Sequence, residues 1–228
     1  MIDDISLIDT FSIIFSLNDE YLEIILLSLR TSLGAVIISS ILFMPLAALI
    51  VISKYKGKKF TIVIVNSLMS LPPVVVGLFL YLILSAQGAL SAYKLLYTPS
   101  AMLIAQIIII SPIIISLSIE SIKIYFYEYR DYFKSIGISK TGMIITLLSE
   151  SKNLLSINFL AGLGRALAEV GAVIIVGGNI AHQTRVMTTS IVLETSRGEL
   201  SLAMSLGITL IIISFFLNTL LFIIKEQK

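Results

Sequence analysis

An arginine and a glutamate lie four residues apart in a strongly apolar stretch, AGLGRALAEVGAVIIV, at positions 161–176. This spacing places the side chains of Arg165 and Glu169 on one face of a helix. Ionisable groups in apolar surroundings are costly and face a protein interior or a water-filled path. The pair is a poor proton relay, because arginine keeps its proton in proteins. Two interpretations stay open: an internal ion pair in a packing helix, or the lining of a path and its gate.

Hydroxyl and guanidinium groups follow this stretch closely. Thr184, Arg185, Thr188 and Thr189 offer O–H and N–H donors, which is chemistry that can bind an anion. Arg30, inside an earlier apolar stretch, adds a cation that would either meet the anion or extend toward the outer face. The threonines and Arg185 would serve equally well as helix caps or as contacts for a docked protein. The sequence leaves these uses open.

The residue types that metal sites and most enzymes need are scarce. The chain has no cysteine and a single histidine, His182, so neither a thiolate site nor a cluster of histidine ligands can form. No GxxxxGK[ST] phosphate-binding motif occurs in the sequence. The formal net charge of +2 gives no indication of nucleic-acid binding. We therefore expect no catalytic residue, no metal ligand and no bound cofactor, and ATP chemistry would belong to another chain.

The composition places all of these residues in a membrane protein. Hydrophobic residues make up 57% of the 228 residues and charged residues 13%, whereas about 25% of a soluble domain is charged. A membrane-spanning helix needs about 20 mostly apolar residues. Five stretches meet that need, at 22–52, 60–84, 100–122, 154–176 and 203–224. We expect residues 1–228 to form one all-α transmembrane domain.

The basic residues are concentrated on one side of the predicted membrane spans. Lysines and arginines concentrate at 54–59, 123–152 and 225–228, and in a five-span arrangement all three segments lie on the same side. Basic loops remain in the cytoplasm, so the sequence predicts an outer N-terminus and a cytoplasmic C-terminus. It also predicts a cytoplasmic loop at 125–153 and an outer loop at 177–202.

The cytoplasmic loop contains the run DYFKSIG. Asp131–Ser135 is predicted to form a short amphipathic helix whose Tyr132, Phe133 and Ile136 present an apolar surface. Gly137 would end that helix with a left-handed cap. Such a helix would either insert into a groove of a partner protein or anchor among lipid headgroups.

The same run resembles the coupling loop of importer-type ATP-binding cassette (ABC) permeases, whose pattern is EAA with glycine at the seventh place. Asp131 occupies the acidic position, Tyr132 and Phe133 the alanine positions, and Gly137 the glycine position. The resemblance implies that these residues, with Ser135, contact an ATPase subunit. Two departures are evident, because bulky aromatics replace small residues and the family's later I-x-L-P ending lacks its proline here.

The apolar stretch and its continuation resemble the oxyanion permeases of the molybdate, tungstate and sulfate group. Their GRAxxExGA segment and the following VGGNI are matched here by Gly164, Arg165, Ala166, Glu169, Gly171, Ala172 and the residues 176–180. The continuation TRVMTTSIVLETSRG is most similar to the tungstate branch. Further similarity at 70–84 and 97–115 extends the resemblance over nearly all of the chain after the first twenty residues. It implies that Arg165, Glu169, Gly171 and Asn179 line the path or form its gate.

This resemblance implies a complete importer around the chain. The chain would have the type I ABC importer permease fold and would pair with a second copy in the cell membrane. Two cytoplasmic ATPase subunits would bind ATP and Mg, and an external protein would deliver the oxyanion. Molybdate or sulfate is the alternative cargo to tungstate. A secondary transporter using Glu169 as its coupling group, or a non-transporting scaffold or sensor, are the alternatives of other classes.

Overall fold

A computed structural model describes residues 7–16 and 18–226, and the secondary structure of that part of the chain is helical, with no strand. The helices are α1 (Leu7–Ser16), α2 (Asp19–Ile52), α3 (Lys58–Leu68), α4 (Pro73–Leu84), α5 (Pro99–Ile136), α6 (Lys140–Glu150), α7 (Lys152–Leu167), α8 (Gly171–Gly177), α9 (Met187–Arg197) and α10 (Leu200–Glu226), with a short 3-10 turn at Ser91–Tyr93. The predicted all-α class is confirmed.

Three helices are long and apolar enough to cross a membrane by themselves: α2, α5 and α10. Two further pairs reach that length together, although each is sharply bent: α3 with α4, at 93°, and α7 with α8, at 59°. The described residues therefore provide three spans, or five when each bent pair counts as one. Each apolar stretch predicted from the sequence falls on one of these helices or pairs, so the chain is a multi-pass membrane protein.

The bend between α3 and α4 follows from two adjacent prolines. Pro72 and Pro73 lack backbone N–H groups, so an α-helix cannot run through them. The residues before them form tight turns instead, in which Leu71 N donates to Leu68 O at 3.2 Å. Pro73 then opens α4, a position that suits proline because the first N–H of a helix has no partner. The double proline thus both begins a helix and turns its direction.

Helices α2 and α5 lie side by side at the centre of the molecule. Small polar and apolar side chains of α2, among them Ser32, Ala35 and Ser39, are buried. Gln106 of α5 reaches across and donates from Nε2 to Ser32 Oγ at 3.3 Å. Small residues permit this close approach in a membrane, where the hydrophobic effect does not drive helices together.

Helices α4 and α8 pack even more closely. A Cβ added to Gly77 would lie 2.7 Å from the Ala172 Cα, and one added to Gly171 would lie 2.7 Å from Val74 Cγ2. Any larger side chain at these glycines would therefore collide with the facing helix. The second helices of the two bent spans are fixed to each other by this contact.

One end of the molecule is rich in lysine and carries the turn at 53–57 and the corner between α5 and α6. The structure at this end differs from the predicted one. Asp131–Ser135 is not a separate helix but forms the last turns of α5, which continues to Ile136. No glycine or proline lies between Ile122 and Gly137 to interrupt it. Gly137 ends α5 with φ of 61°, as predicted. The stretch 125–153 is therefore helical except at this corner.

Candidate functional site

Glu169 lies where the span of α7 and α8 is broken. Its Oε2 accepts a hydrogen bond from Arg165 Nη1 at 2.7 Å, and its Oε1 accepts one from the Ala172 N–H at 3.2 Å. The Glu169 side chain is 3% exposed and that of Arg165 is 35% exposed. The ion pair that the sequence left open is present, but the two residues do not share one helix, because α7 ends at Leu167. One carboxylate joins the last turn of α7 to the first turn of α8, which begins at Gly171.

Two side chains from other helices donate to backbone carbonyls at this break. Thr188 Oγ1, at the start of α9, donates to Glu169 O at 2.8 Å. Gln106 Nε2 in α5 donates to Ala166 O at 3.3 Å. Helix ends leave carbonyls without partners, and at membrane depth such groups must be satisfied within the protein. Neither contact was identified from the sequence, because Gln106 and Thr188 are far from the break along the chain.

A small polar cavity adjoins the break. It is lined by Ser28, Thr31, Ser32, Gln106, Glu169 and Thr188, among others, and has a volume of about 10 Å³. That volume is about what a single water molecule requires. An oxyanion with four oxygen atoms does not fit in it, so the cavity cannot hold such an anion in this conformation.

The segment VGGNI forms a tight connection at the end of α8. Gly178 ends the helix with φ of 72°, and a Cβ there would lie 2.7 Å from Tyr97 Cδ1. Asn179 follows with φ of 51°, a region that asparagine tolerates better than most residues. Asn179 Oδ1 accepts from Thr189 Oγ1 at 2.9 Å, and Nδ2 donates to Thr189 O at 3.3 Å. This asparagine therefore fastens α8 to the start of α9.

The threonines considered as anion donors are buried and bonded to their own chain. Thr184 Oγ1 donates to Gly177 O at 2.6 Å and accepts from Ile180 N at 2.9 Å. Thr189 also caps α9 by accepting from Val186 N at 3.1 Å. Thr188 is engaged at the break. Of the uses that the sequence left open, the capping of backbone groups accounts for all three hydroxyls in this conformation.

Arg185 lies between two carboxylates. Its Nη1 is 3.5 Å from Glu20 Oε1 and 4.0 Å from Glu194 Oε1. Next to it, His182 Nδ1 and Glu23 Oε2 are 2.7 Å apart. These pairs join the segment after α8 to the first turns of α2, so Arg185 contributes to packing between elements.

Arg30 is exposed on α2 and, within the described part of the chain, makes no ion pair. It lines an open cleft of about 580 Å³, together with Asp19, Glu23 and His182. Two carboxylates near one guanidinium do not favour an anion. The structure therefore does not bring Arg30 together with Arg185 and the threonines at one binding site.

The residues with the coupling motif lie at the opposite end, at the corner between α5 and α6. Tyr132 is 59% and Ile136 51% exposed, as predicted, but Phe133 is only 3% exposed. Phe133 lies about one helical turn after Tyr129, and its ring faces the interior. The centroids of the two rings are 6.0 Å apart. The prediction that Phe133 presents an outer apolar surface is thus wrong.

The remaining motif residues at this corner are open to solvent. Asp131 accepts a hydrogen bond from Lys134 Nζ at 2.9 Å, with the carboxylate almost fully exposed. Ser135 Oγ donates to Tyr132 O at 2.8 Å. A Cβ added to Gly137 would meet no atom within 4 Å. The corner offers an exposed surface with free space at its glycine.

The chain is similar over most of its length to membrane permeases. It is 38% identical over 215 residues to the tungstate uptake system permease protein of Peptoclostridium acidaminophilum, which covers 94% of both chains. It is 39% identical over 166 residues to the protein of the same name from Campylobacter jejuni, covering 72% of this chain and 69% of that one. It is 33% identical to a probable anion ABC transporter permease protein of Haloferax volcanii, covering 90% of each. No protein-family model matches the chain.

Proposed function

The chain belongs to the permease family of ABC-type tungstate and anion uptake systems, and from that membership we propose that it carries tungstate across the cell membrane. It is a permease subunit and thus a non-catalytic component of its transporter. In the proposed importer, two separate ATPase subunits bind ATP and Mg and hydrolyse the nucleotide. An external binding protein delivers the anion.

The choice of tungstate rests on one observation. Two relatives from different organisms, at 38% and 39% identity, carry the name of a tungstate permease. Molybdate and sulfate remain the alternative cargoes, because they share the charge and the tetrahedral shape of tungstate and because the relative at 33% identity is named for an unspecified anion. The absence of space for an oxyanion at the Glu169 break supports a path that forms only when the helices move.

The geometry supports a route for that movement. The proposed docking surface is the corner formed by Asp131, Tyr132, Ser135 and Gly137, where α5 ends. Helix α5 has 38 residues and is thus about 57 Å long at about 1.5 Å per residue. A displacement of the corner would reach Gln106, which bonds to the α7–α8 break. Arg165, Glu169, Gly171 and Asn179 are therefore proposed to hold the gate by fixing this bend, not by binding the anion.

A second copy of the chain is proposed to complete the path. The bend between α3 and α4 leaves Leu71, Val74 and Val75 exposed in the single chain. Irregular backbone at membrane depth is tolerated only where protein covers it or water lines it. A homodimer with the bends near its axis would meet this requirement. The lysine-rich end of each copy would face the cytoplasm.

The proposal is tested with the assembled importer in proteoliposomes. We expect ATP-driven uptake of tungstate that exceeds the uptake of molybdate and sulfate at equal concentration. Uptake driven by an ion gradient without ATP would contradict the ABC mechanism and favour a secondary transporter. Stronger uptake of molybdate or sulfate would retain the mechanism and change the cargo.

The docking surface is tested by Gly137→Asp in the same vesicles. We expect at least a tenfold loss of ATP-driven uptake and of ATPase co-purification, because the new side chain would occupy the space that a partner needs. Within the chain it would meet no atom within 4 Å, and aspartate tolerates the left-handed backbone better than most residues. An unchanged thermal unfolding midpoint serves as the control. Unchanged uptake would contradict the docking assignment.

A further inference from the structure

A cleft of about 610 Å³ opens at the lysine-rich end, between the end of α2, the start of α3 and the last third of α5. Its lining includes Tyr55, Lys58, Lys59, Lys123, Phe126 and Tyr127. We call it the lysine cleft. None of its lining residues belongs to the docking surface of Asp131, Tyr132, Ser135 and Gly137 or to the Glu169 break.

Three lysines line the lysine cleft, and one of them is paired with a carboxylate. Lys58 Nζ donates to Val51 O at 2.6 Å and to Ser53 O at 3.2 Å, which leaves one of its three N–H groups for a ligand. Lys123 pairs with Glu120 at 2.6 Å. Lys59 makes no ion pair with any residue that the structure describes. The cleft therefore carries a net positive charge.

The surroundings of the lysine cleft are those of a membrane interface. Phe60 and Val63 of α3 and Ile124 of α5 are exposed beside it and form an apolar surface. Tyr55 and Tyr127 are exposed at its rim, and tyrosines are enriched where hydrocarbon meets headgroups. Gly57 begins α3 without a side-chain cap, so the positive end of that helix dipole adds to the potential.

We propose that the lysine cleft binds the phosphate group of an anionic phospholipid. Basic pockets between membrane helices on the cytoplasmic side bind such headgroups. Lys58, Lys59 and Lys123 contact the phosphate oxygens, and the acyl chains lie over the exposed apolar side of α3. A free phosphate ion would use the same ammonium groups but would gain nothing from Phe60 and Val63. The adjoining apolar surface therefore favours a lipid as the source of the phosphate.

Native mass spectrometry of the purified full chain tests this proposal. Phosphatidylglycerol, phosphatidylcholine and inorganic phosphate are added separately, and phosphate is also added as a competitor of phosphatidylglycerol. We expect phosphatidylglycerol to bind in preference to phosphatidylcholine. The double variant Lys59→Gln with Lys123→Gln is expected to bind it about tenfold or more weakly, because each lysine near an anionic headgroup contributes to binding.

A matched control removes the same charge outside the cleft. Lys54→Gln with Lys56→Gln changes two lysines of the adjacent turn and is expected to leave the binding of phosphatidylglycerol unchanged. The double variant Lys59→Arg with Lys123→Arg keeps both charges and is expected to bind phosphatidylglycerol as the unchanged chain does. Equal losses of phosphatidylglycerol binding in both glutamine double variants would show that a diffuse basic surface, and not the cleft, binds the lipid. Equal binding of the two lipids, or displacement of phosphatidylglycerol by millimolar phosphate, would overturn the assignment to a lipid.

Discussion

Glu169 illustrates how one side chain serves a break in a membrane helix. Its two carboxylate oxygens have different partners, the Arg165 guanidinium on one side and the Ala172 N–H on the other. The carboxylate thus balances a charge and caps a helix at the same time. Because both tasks concern the bend, the stability of this junction is the property that a substitution at Glu169 changes first.

We expect Glu169→Ala to destabilise the chain more than Glu169→Gln. The amide of glutamine still accepts from Ala172 N–H but no longer balances Arg165, at a cost of about 1–3 kcal/mol because Arg165 is partly solvated. Alanine also loses the cap, which adds about 1 kcal/mol. Far-ultraviolet circular dichroism during heating in detergent measures both midpoints, since the chain has no tryptophan for fluorescence.

Asp131→Asn provides the control for these variants, because its ion pair with Lys134 is almost fully exposed. Such pairs contribute little to stability, so its midpoint is expected to stay close to that of the unchanged chain. If the thermal midpoint of Glu169→Ala is no lower than that of Asp131→Asn, the hydrogen bonds assigned to Glu169 at the break are incorrect.

The sequence predicted these local relations and missed the distant ones. A spacing of four residues was sufficient to pair Arg165 with Glu169. It could not indicate that α7 ends at Leu167, between the two partners. The bonds from Thr188 and Gln106 depend on how separate helices pack, which no local pattern encodes. The burial of Phe133 likewise depends on the position of α6 beside α5.

At the scale of elements, each of the two bent spans relies on packing against the other. Hydropathy alone located both spans. The angles of 93° and 59° were beyond prediction, because they reflect the packing of α4 on α8. That packing relies on Gly77 and Gly171, where the facing helix leaves no room for a side chain.

Gly77→Ala is therefore expected to destabilise the chain by about 1–3 kcal/mol, because its new Cβ meets the backbone of Ala172 and cannot rotate away. Gly207→Ala in α10 is the matched comparison. A Cβ there meets no atom within 4 Å, and alanine favours a helix by up to about 1 kcal/mol over glycine. Thermal midpoints in detergent should thus move in opposite directions. A shared direction would contradict the contact between α4 and α8.

At the scale of the whole molecule, the proposed orientation is open to a direct test. The chain contains no cysteine, so a single introduced thiol reports which side of the membrane it faces. We expect Gln87→Cys to react with a membrane-impermeant maleimide in intact cells. Lys56→Cys should react only after the membrane is opened. Both positions are exposed, so the reverse pattern would invert the proposed topology.

The contact between α4 and α8 also has a consequence for how the protein is made. Roughly 90 residues separate the two helices, and at about 5–20 residues per second their synthesis takes about 5–18 s. During that interval the double-proline bend lacks the helix that later packs on it. The nascent chain must therefore shelter this bend in the insertion machinery, and nascent chains released before α8 should be substrates for membrane proteases.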